Sequence, residues 1–298
     1  MQLQHGQTAV VTGAASGIGL ALAQRFAAAG LNVVMADVEA AALTAAADRV
    51  RAGGVEVHAQ RCDVRHADDV GGLAEAAIQR FGAVHVVCNN AGVSGGGDPW
   101  FGSITAWDWT IGVNLYGVIH GVRAFLPHVL ATGGHIVNTA SMAGLYPGLS
   151  PVYDATKHAV VALTENLYRQ MALVGSPIGV SCLCPGWVRT RIFESERNFP
   201  GDLGVLEHSP TMDIVRPHIE RVIAEGVTPA AVADLVAQAI DGGRFWVFTD
   251  QDWVDLAAAR WATVADGINP VIDEQVPGMP SATEIRALID TALAPPPA

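Results

Sequence analysis

The sequence predicts an α/β protein built on one doubly wound parallel sheet, a single domain with a helical C-terminal extension. Short runs rich in valine and isoleucine alternate with longer, alanine-rich stretches. This alternation is typical of βαβ units and of a parallel sheet that helices cover on both faces. A glycine-rich turn also separates the first apolar run from the first helical stretch. Right-handed crossovers between the strands then make the sheet doubly wound.

The elements follow from this pattern in chain order. Seven strands are predicted, over residues 8–11, 32–36, 55–62, 84–88, 135–139, 178–183 and 245–248. Helices are predicted over residues 17–29, 40–50, 67–81, 104–130, 152–174, 229–240, 253–266 and 282–293. Glycines end the first two helices, and Pro127 is expected to distort the long helix over 104–130 near its end.

The alternation breaks after residue 186. Residues 187–227 contain several proline and glycine breakers and are predicted to be irregular. A long excursion of this kind in a compact domain is usually a lid or a binding loop. We therefore expect residues 1–250 to form the main domain, with a binding loop over about 187–227. Residues 251–298 are expected to form a helical extension packed on the same domain.

Composition excludes several classes of protein. The 298 residues are 50% hydrophobic and 15% charged, which is enough for a substantial core and excludes a disordered chain. The formal net charge of −12 argues against a nucleic-acid-binding protein and against docking on an anionic membrane. No signal peptide is recognised, and no apolar run approaches the ~20 residues of a membrane span.

Cysteine and histidine usage bears on location and metals. The four cysteines form no C-x-x-C and are expected to be buried thiols, which favours a reducing, cytoplasmic location. The ten histidines are scattered and form no H-E-x-x-H. We therefore assign no metal site.

The turn over residues 12–19 reads T-G-A-A-S-G-I-G, with the spacing G-x-x-x-G-x-G. Glycines between a strand and a helix let the backbone approach a pyrophosphate, and the helix N-terminus offers unpaired N–H groups to it. The candidate nucleotide-binding residues here are Gly13, Ser16, Gly17, Ile18 and Gly19.

Asp37 ends the second predicted strand, about 20 residues further on. A carboxylate at this place can accept hydrogen bonds from both hydroxyls of the adenosine ribose and repels a 2′-phosphate. No Arg or Lys stands beside it in the sequence or in the first turn. NAD is therefore favoured over NADP. Asp37 could equally serve as a helix N-cap.

Further motifs follow in order, and together they resemble the short-chain dehydrogenases/reductases over about residues 5–250. Besides the glycine turn, they are Asp63-Val64, N-N-A-G at 89–92, Asn114 in V-N-L-Y-G, Ser141 after a strand, Y-D-A-T-K at 153–157 and P-G-W-V-R-T at 185–190. The resemblance implies a Rossmann-type sheet and a catalytic set of Asn114, Ser141, Tyr153 and Lys157. It also implies nucleotide contacts by Asp63, Val64, Asn90, Ala91, Gly92, Tyr153, Lys157, Pro185, Gly186, Val188 and Thr190.

Tyr153 and Lys157 are four residues apart and share one face of a helix. A phenol is a poor base near neutrality, but a nearby ammonium and an oxidised nicotinamide ring favour tyrosinate. By the resemblance, Tyr153 exchanges the proton of the substrate oxygen, Ser141 holds that oxygen, and Asn114 orders a water relay to Lys157. An i, i+4 Tyr–Lys pair is also common as a plain surface pair.

The substrate pocket is expected beyond the carboxyl ends of the strands. Its candidate walls are Met142, Tyr146, Trp187 and Phe193, joined by Leu145, Ile192 and Phe199. A mostly apolar pocket suits a bulky, hydrophobic alcohol or ketone, such as a steroid-like, terpenoid or aryl compound. Several of these residues could instead belong to the core or to a subunit interface.

These observations predict an NAD-dependent oxidoreductase that interconverts a bulky, hydrophobic secondary alcohol and its ketone. The alternatives are a 3-oxoacyl thioester reductase and a family member that binds nucleotide without turnover. Apolar residues recur on more than one face within residues 118–129 and 152–174. The resemblance implies that these two helices build a homodimer or homotetramer.

Overall fold

The computed structural model describes residues 1–148, 150–207, 209–271 and 276–292. In this part of the chain, seven parallel strands form one sheet in the order β3-β2-β1-β4-β5-β6-β7. The strands are β1 (Thr8–Thr12), β2 (Asn32–Asp37), β3 (Val57–Arg61), β4 (Val86–Asn89), β5 (His135–Thr139), β6 (Gly179–Cys184) and β7 (Trp246–Phe248). The predicted fold class is confirmed.

Helices cover both faces of the sheet. They are α1 (Gly17–Ala28), α2 (Ala40–Arg51), α3 (Ala67–Phe81), α4 (Thr105–Ile111), α5 (Gly117–Thr132), α6 (Pro151–Leu173), α7 (Pro210–Glu225), α8 (Pro229–Gly242), α9 (Gln251–Ala265) and α10 (Ala282–Ala292). None of the described helices is both long and apolar enough to cross a membrane.

Alternate side chains along the buried strands pack into two separate cores, one on each face of the sheet. Val11 and Met35 point to one face, where α1, α2 and α8 pack, whereas Val10 and Val34 point to the other, under α3 and α5. Successive residues of a strand face opposite sides of a sheet. The interior positions of β1, β2 and β4 are therefore consecutively apolar, as a sheet buried on both faces requires.

The strand order reverses between β1 and β4. At such a switch point the connections after neighbouring strands leave in opposite directions and open a crevice at the carboxyl edge of the sheet. The segments that follow β1, β2, β3, β4, β5 and β6 all begin at this edge, and they carry the predicted site residues.

The helix predicted over 104–130 is interrupted. A π-helical turn, Gly112–Tyr116, lies between α4 and α5, and α5 continues through Pro127 to Thr132. The interruption is therefore at Asn114, and not near Pro127 as expected. π-Helical turns of this kind are frequent at functional sites because they re-aim one side chain.

The prediction that residues 187–227 are irregular was wrong for their second half. Helix α7 begins at Pro210 and also contains Pro217. Proline is tolerated in the first turn of a helix, because the N–H groups there have no partner within the helix. The apolar spacing of Val215, Ile219 and Val222 outweighs the breakers, because these side chains are buried together. Short 3₁₀ turns, Ile192–Asn198 and Gly201–Leu203, precede the helix.

The segment after residue 250 packs against the catalytic part of the chain. Trp253 of α9 is buried and meets the ring of Trp187 edge to face, with 5.8 Å between ring centroids. Helix α10 packs against α7, and Met279 is buried between them. The predicted last residue of this helix, 293, lies outside the described residues.

Gly121 of α5 tests the tight contact between that helix and the sheet. An alanine methyl group at 121 would overlap the side-chain oxygen of Asn89, whose amide donates to buried Asn138 at 2.9 Å. We expect Gly121→Ala to lower the free energy of unfolding by about 1–3 kcal/mol, because neither buried amide can move freely. Urea denaturation measures the change.

Gly71→Ala in α3 is the matched control. Open space surrounds the position that its methyl group would occupy. It is expected to raise the free energy of unfolding by about 0.5–1 kcal/mol, because alanine favours a helix interior over glycine. If both variants lose stability equally, the packing argument at Gly121 fails.

Candidate active site

The turns after β1 and β4 are held together by Thr12. Its hydroxyl accepts hydrogen bonds from the backbone N–H groups of Asn90 at 2.9 Å and Ala91 at 3.1 Å. The Asn90 side-chain amide donates back to the Thr12 carbonyl at 3.0 Å, and its oxygen accepts from Thr139 at 3.3 Å. The ends of three strands are therefore fixed to one another.

The glycine turn depends on close backbone approach. Gly13 has φ +66°, and a Cβ there would lie 2.8 Å from the Cα of Ala91. Gly17 has φ +54°, and a Cβ there would lie 3.2 Å from Cγ2 of Thr190. A Cβ at Gly19 would overlap the carbonyl of Gly13. Side chains at these positions would force the turns apart.

Most of the predicted nucleotide-binding residues line one cavity of about 800 Å³ at the carboxyl edge. Gly19 does not line it and lies behind the turn, where it allows the helix to approach. Those that line the cavity are Gly13, Ser16, Gly17, Ile18, Asp37, Asp63, Val64, Asn90, Ala91, Gly92, Tyr153, Lys157, Pro185, Gly186, Val188 and Thr190.

Asp37 binds the backbone of the glycine turn and of the segment that follows β2. Its Oδ2 accepts from the backbone N–H of Ala15 at 2.9 Å, and its Oδ1 accepts from that of Glu39 at 3.0 Å. Burial raises the pKa of Asp37, while these two backbone hydrogen bonds oppose the rise. The N-cap position of α2 is Glu39, so Asp37 is not the N-cap of that helix.

Asp63 is engaged by a neighbour. Its carboxylate accepts from the guanidinium of Arg65, with the shortest contact 2.8 Å, and Arg65 also reaches Asp202 at 3.3 Å. Despite the burial of Asp63, its hydrogen bonds with Arg65 lower its pKa. The side chain is therefore tied down as a charged pair at the rim of the cavity.

Asn114 is fully buried within the π-helical turn. Its Oδ1 accepts from the N–H of Val93 at 2.8 Å, and its Nδ2 donates to the Val93 carbonyl at 2.9 Å and to Thr156 at 3.2 Å. The side chain does not line the cavity. It joins the segment after β4 to helix α6, which carries Tyr153 and Lys157.

Tyr153 and Ser141 lie next to each other in the wall of the cavity. Burial raises the pKa of Tyr153 to about 12, against the lowering effect of a hydrogen bond with Ser141. The Ser141 hydroxyl is oriented by the N–H of Ala143 at 3.1 Å and the carbonyl of Pro185 at 3.4 Å. The pKa of Tyr153 therefore lies above its usual value in this structure, and not below it as expected, because burial is the largest effect.

Lys157 is buried one helical turn after Tyr153. Its Nζ lies 5.5 Å from the centre of the Tyr153 ring and donates to the carbonyl of Thr139 at 3.0 Å. Burial lowers the pKa of Lys157 to about 8. Because an ammonium carries three donors, the group can serve more partners than Thr139.

The predicted pocket residues divide into two sets. Met142, Tyr146, Trp187 and Phe193 line the cavity, as does Ile192. Leu145 and Phe199 were wrongly placed in the wall. Leu145 packs into the core beneath α9, and Phe199 meets the buried ring of Trp109 edge to face at 5.2 Å between centroids.

Sequence reasoning missed a second apolar wall of the cavity. This wall is formed by α7 and by residues 276–292, the last described segment of the chain. The Nε1–H of Trp187 donates to the carbonyl of Pro277 in that segment at 2.8 Å. The i, i+3, i+4 spacing within 212–223 was the available signal. The wall residues are Met212, Val215, Ile219, Val276, Met279 and Ile285.

Charged residues at the adenosine end of the cavity were also not predicted from the sequence. No basic residue neighbours Asp37 in sequence, but Arg197 arrives from the 3₁₀ turn Ile192–Asn198 and contacts Glu39 at 2.7 Å. The absence of Arg and Lys beside Asp37 in the sequence therefore does not mean that this rim lacks a cation. Only the fold brings these positions together, since 158 residues separate them.

The arrangement fits a dinucleotide. The first turn of α1 opens on the cavity, and the side chain at its N-cap, Ser16, makes no capping hydrogen bond. Gly13 and Gly17 have no side chain, so the backbone of the turn can approach a bound pyrophosphate. Across the described residues, no group of three or more His, Cys, Asp or Glu is placed to hold a metal ion.

Comparison with known proteins now decides the family. A model of the short chain dehydrogenase family matches residues 7–200. The chain belongs to this family. It is 39% identical over 260 residues to the 1-deoxy-11-beta-hydroxypentalenate dehydrogenase of Streptomyces arenae, across 83% of this chain and 84% of that protein.

Solved structures agree with this assignment. A short-chain dehydrogenase/reductase from Burkholderia phymatum in complex with NAD superposes with TM-score 0.89 at 39% identity, over 93% of this chain and 100% of that chain. An archaeal alcohol dehydrogenase from Thermococcus sibiricus, complexed with 5-hydroxy-NADP, superposes with TM-score 0.65 at 25% identity, over 82% and 95%. This short-chain dehydrogenase/reductase is therefore an oxidoreductase of small molecules, of the alcohol dehydrogenase and ketone reductase type.

Asp154, next to Tyr153, is a buried carboxyl group in the same wall. Its Oδ2 accepts from the N–H of Gly148 at 2.7 Å. Burial nevertheless raises the pKa of Asp154 to about 7. In the fold this group holds a proton to a higher pH than it does in the unfolded chain.

Stability should therefore fall as the pH rises from about 4 to about 7, since the native state binds more protons than the unfolded state over this interval. Asp154→Asn removes the titration and retains an oxygen for Gly148. Relative to the wild type, the free energy of unfolding of the variant should increase by up to about 4 kcal/mol between pH 4 and pH 7. Above pH 7 the difference should not increase further. Unfolding free energies at several pH values test this. A difference independent of pH would contradict it.

Proposed function

We propose that this chain interconverts a bulky, hydrophobic secondary alcohol and its ketone with NAD, and that Tyr153 is the general acid/base. The observation that carries the proposal is the shared cavity. The Ser141, Tyr153 and Lys157 side chains line the same space as the glycine turn and Asp37. When bound, NAD supplies the nicotinamide that accepts the hydride of the alcohol, and its oxidised ring is positively charged.

Tyr153 and Ser141 form the oxygen-binding part of the proposed site. The Ser141 hydroxyl, already fixed by Ala143 and Pro185, holds the substrate oxygen next to the phenol. In oxidation the Tyr153 phenolate takes the hydroxyl proton, and in reduction the phenol returns it to the ketone oxygen. With an apo pKa of about 12, the phenol favours the protonated, donating form until positive charge enters the cavity.

Lys157 and Asn114 support this proton transfer from the helix side. The Lys157 ammonium stabilises the phenolate electrostatically and, by family resemblance, binds the nicotinamide ribose. Asn114 holds Val93 and Thr156 in place, which positions the wall opposite Lys157. Thr190, beside Gly17, is proposed to hold the carboxamide of the nicotinamide.

The charges at the adenosine end support NAD over NADP. Arg197, Arg65 and Arg191 each have a carboxylate partner, respectively Glu39, Asp63 and Glu194. The hydrogen bonds that Asp37 accepts come from backbone N–H groups, and among the described residues Asp37 forms no ion pair with an Arg or Lys. A 2′-phosphate brought to this carboxylate would be repelled.

The second wall supports a bulky, apolar substrate. Met142 and Tyr146 line the cavity together with Val215, Ile219 and Met279. Apolar walls of this kind favour hydrophobic ligands. The mouth carries the exposed side chains of Trp100 and Phe101.

We also propose a homodimer or homotetramer and a cytoplasmic location. Tyr116, Leu130, Tyr168 and Leu173 leave apolar surface exposed on or beside α5 and α6, which a second copy would cover. All four cysteines are buried and free, as is usual in a reducing compartment.

Removal of the Tyr153 hydroxyl tests the mechanism. Tyr153→Phe is expected to lower turnover of secondary alcohols at least about a thousandfold, because no other group replaces the proton acceptor. NADH binding, measured by fluorescence, should remain within about threefold of the wild type. The panel should include steroid-like, terpenoid and aryl alcohols, and a 3-oxoacyl thioester for the alternative function.

Tyr168→Phe, on the same helix but outside the cavity, is the matched control and should leave turnover unchanged. Retained turnover in Tyr153→Phe would overturn the assignment. Silence of the wild type across the whole panel, with NADH bound, would favour nucleotide binding without catalysis.

Asp37→Asn tests the preference for NAD. Removal of the charge should tighten NADPH binding about tenfold and weaken NADH binding, since the repulsion of a 2′-phosphate disappears together with a strong acceptor for ribose hydroxyls. Dissociation constants of the two reduced nucleotides provide the measurement. An unchanged ratio between them would remove Asp37 from the proposed contact.

A further inference from the structure

Residues 192–203 cross the carboxyl edge of the sheet and are anchored on its far side. Ser195 accepts from the N–H of Ser94 at 3.1 Å, and Phe199 packs on the buried ring of Trp109. Asp202 pairs with Arg65 at 3.3 Å. The segment therefore reaches from the end of β6 to the ends of β2 and β3, over the adenosine half of the cavity.

The strongest polar anchor of this segment is Glu39. Its Oε1 accepts from Arg197 at 2.7 and 3.2 Å and from the side-chain amide of Asn198 at 2.9 Å. Despite partial burial, the hydrogen bonds and charge of Arg197 lower the pKa of Glu39, so this carboxylate is ionised at neutral pH. Glu39 stands two residues after Asp37, and both line the cavity together with Arg197.

The guanidinium of Arg197 is also held from behind. Its Nη1 donates to the carbonyl of Glu194 at 2.7 Å and to that of Arg191 at 3.3 Å. These bonds belong to the 3₁₀ turn that carries Arg197 and do not depend on Glu39. If the Glu39 charge were removed, the cation would therefore remain at the rim.

We propose that Glu39 is a second determinant of nucleotide choice, because it neutralises an arginine that would otherwise favour a 2′-phosphate. An arginine is well suited to pair with phosphate, and one already bound to a carboxylate offers little net charge to a second anion. This inference rests on the proposed use of a dinucleotide at Asp37. It assigns the selectivity to a balance between Asp37, Glu39 and Arg197 and not to Asp37 alone.

The test measures dissociation constants of NADH and NADPH by nucleotide fluorescence on the purified chain, without turnover. The variants are Glu39→Gln, Arg197→Gln and the double variant. Glu39→Gln keeps an oxygen that can accept from Arg197 and removes only the charge. Glu56→Gln is the matched control, because it removes the same charge from an ion pair with Arg80 that is also 2.7 Å long. This pair lies at the amino-terminal end of β3, away from the cavity.

We expect Glu39→Gln to tighten NADPH binding about tenfold, as one uncompensated charge near the surface can. NADH binding should change by less than about threefold. The gain should vanish in the double variant, and Glu56→Gln should show none.

Three outcomes would overturn the inference. They are no gain for NADPH in Glu39→Gln, an equal change for both nucleotides, or a gain that persists when Arg197 is also replaced. An equal weakening of both nucleotides in the two single variants would make the pair a loop anchor only. Failure of the wild type to bind NADH is different, because it would overturn the proposed function itself.

Discussion

Contact between the turn after β1 and the turn after β4 is the constraint on which the remainder of the site depends. Gly13 lies against Ala91, and the Thr12 hydroxyl binds two backbone N–H groups of the second turn. Because the strand order reverses here, the same contact sets the width of the crevice. A side chain larger than hydrogen at Gly13 would separate the two halves of the nucleotide site.

A chain of hydrogen bonds extends this constraint to the proposed catalytic residues. The segment after the second turn is bound through Val93 to Asn114, and Asn114 binds Thr156 on the helix of Tyr153 and Lys157. Each link is buried, so loss of one partner would leave another polar group unpaired. The site is therefore held by the backbone of the switch point as much as by the side chains that face the cavity.

Sequence patterns predicted the sheet, the order of most elements and the candidate residues near strand ends, because these depend on local periodicity and spacing. Asp37 belongs to this group, whereas Tyr153, in α6, was predicted from its resemblance to a family motif. Arg197 and Met279 do not, because they reach the cavity only through contacts with residues far away in the chain, Glu39 and α7. The helix over 210–225 was missed for a different reason: two prolines masked an apolar stripe that tertiary burial stabilises.

The hydrogen bond from Trp187 to Pro277 has a consequence for the order in which the two halves of the cavity can form during synthesis. Every residue of the nucleotide half precedes the wall built from Val276, Met279 and Ile285. A nascent chain can therefore complete its dinucleotide-binding surface while the substrate side is still open to solvent. The C-terminal wall of the cavity is then the last part of the proposed site to be added to the chain.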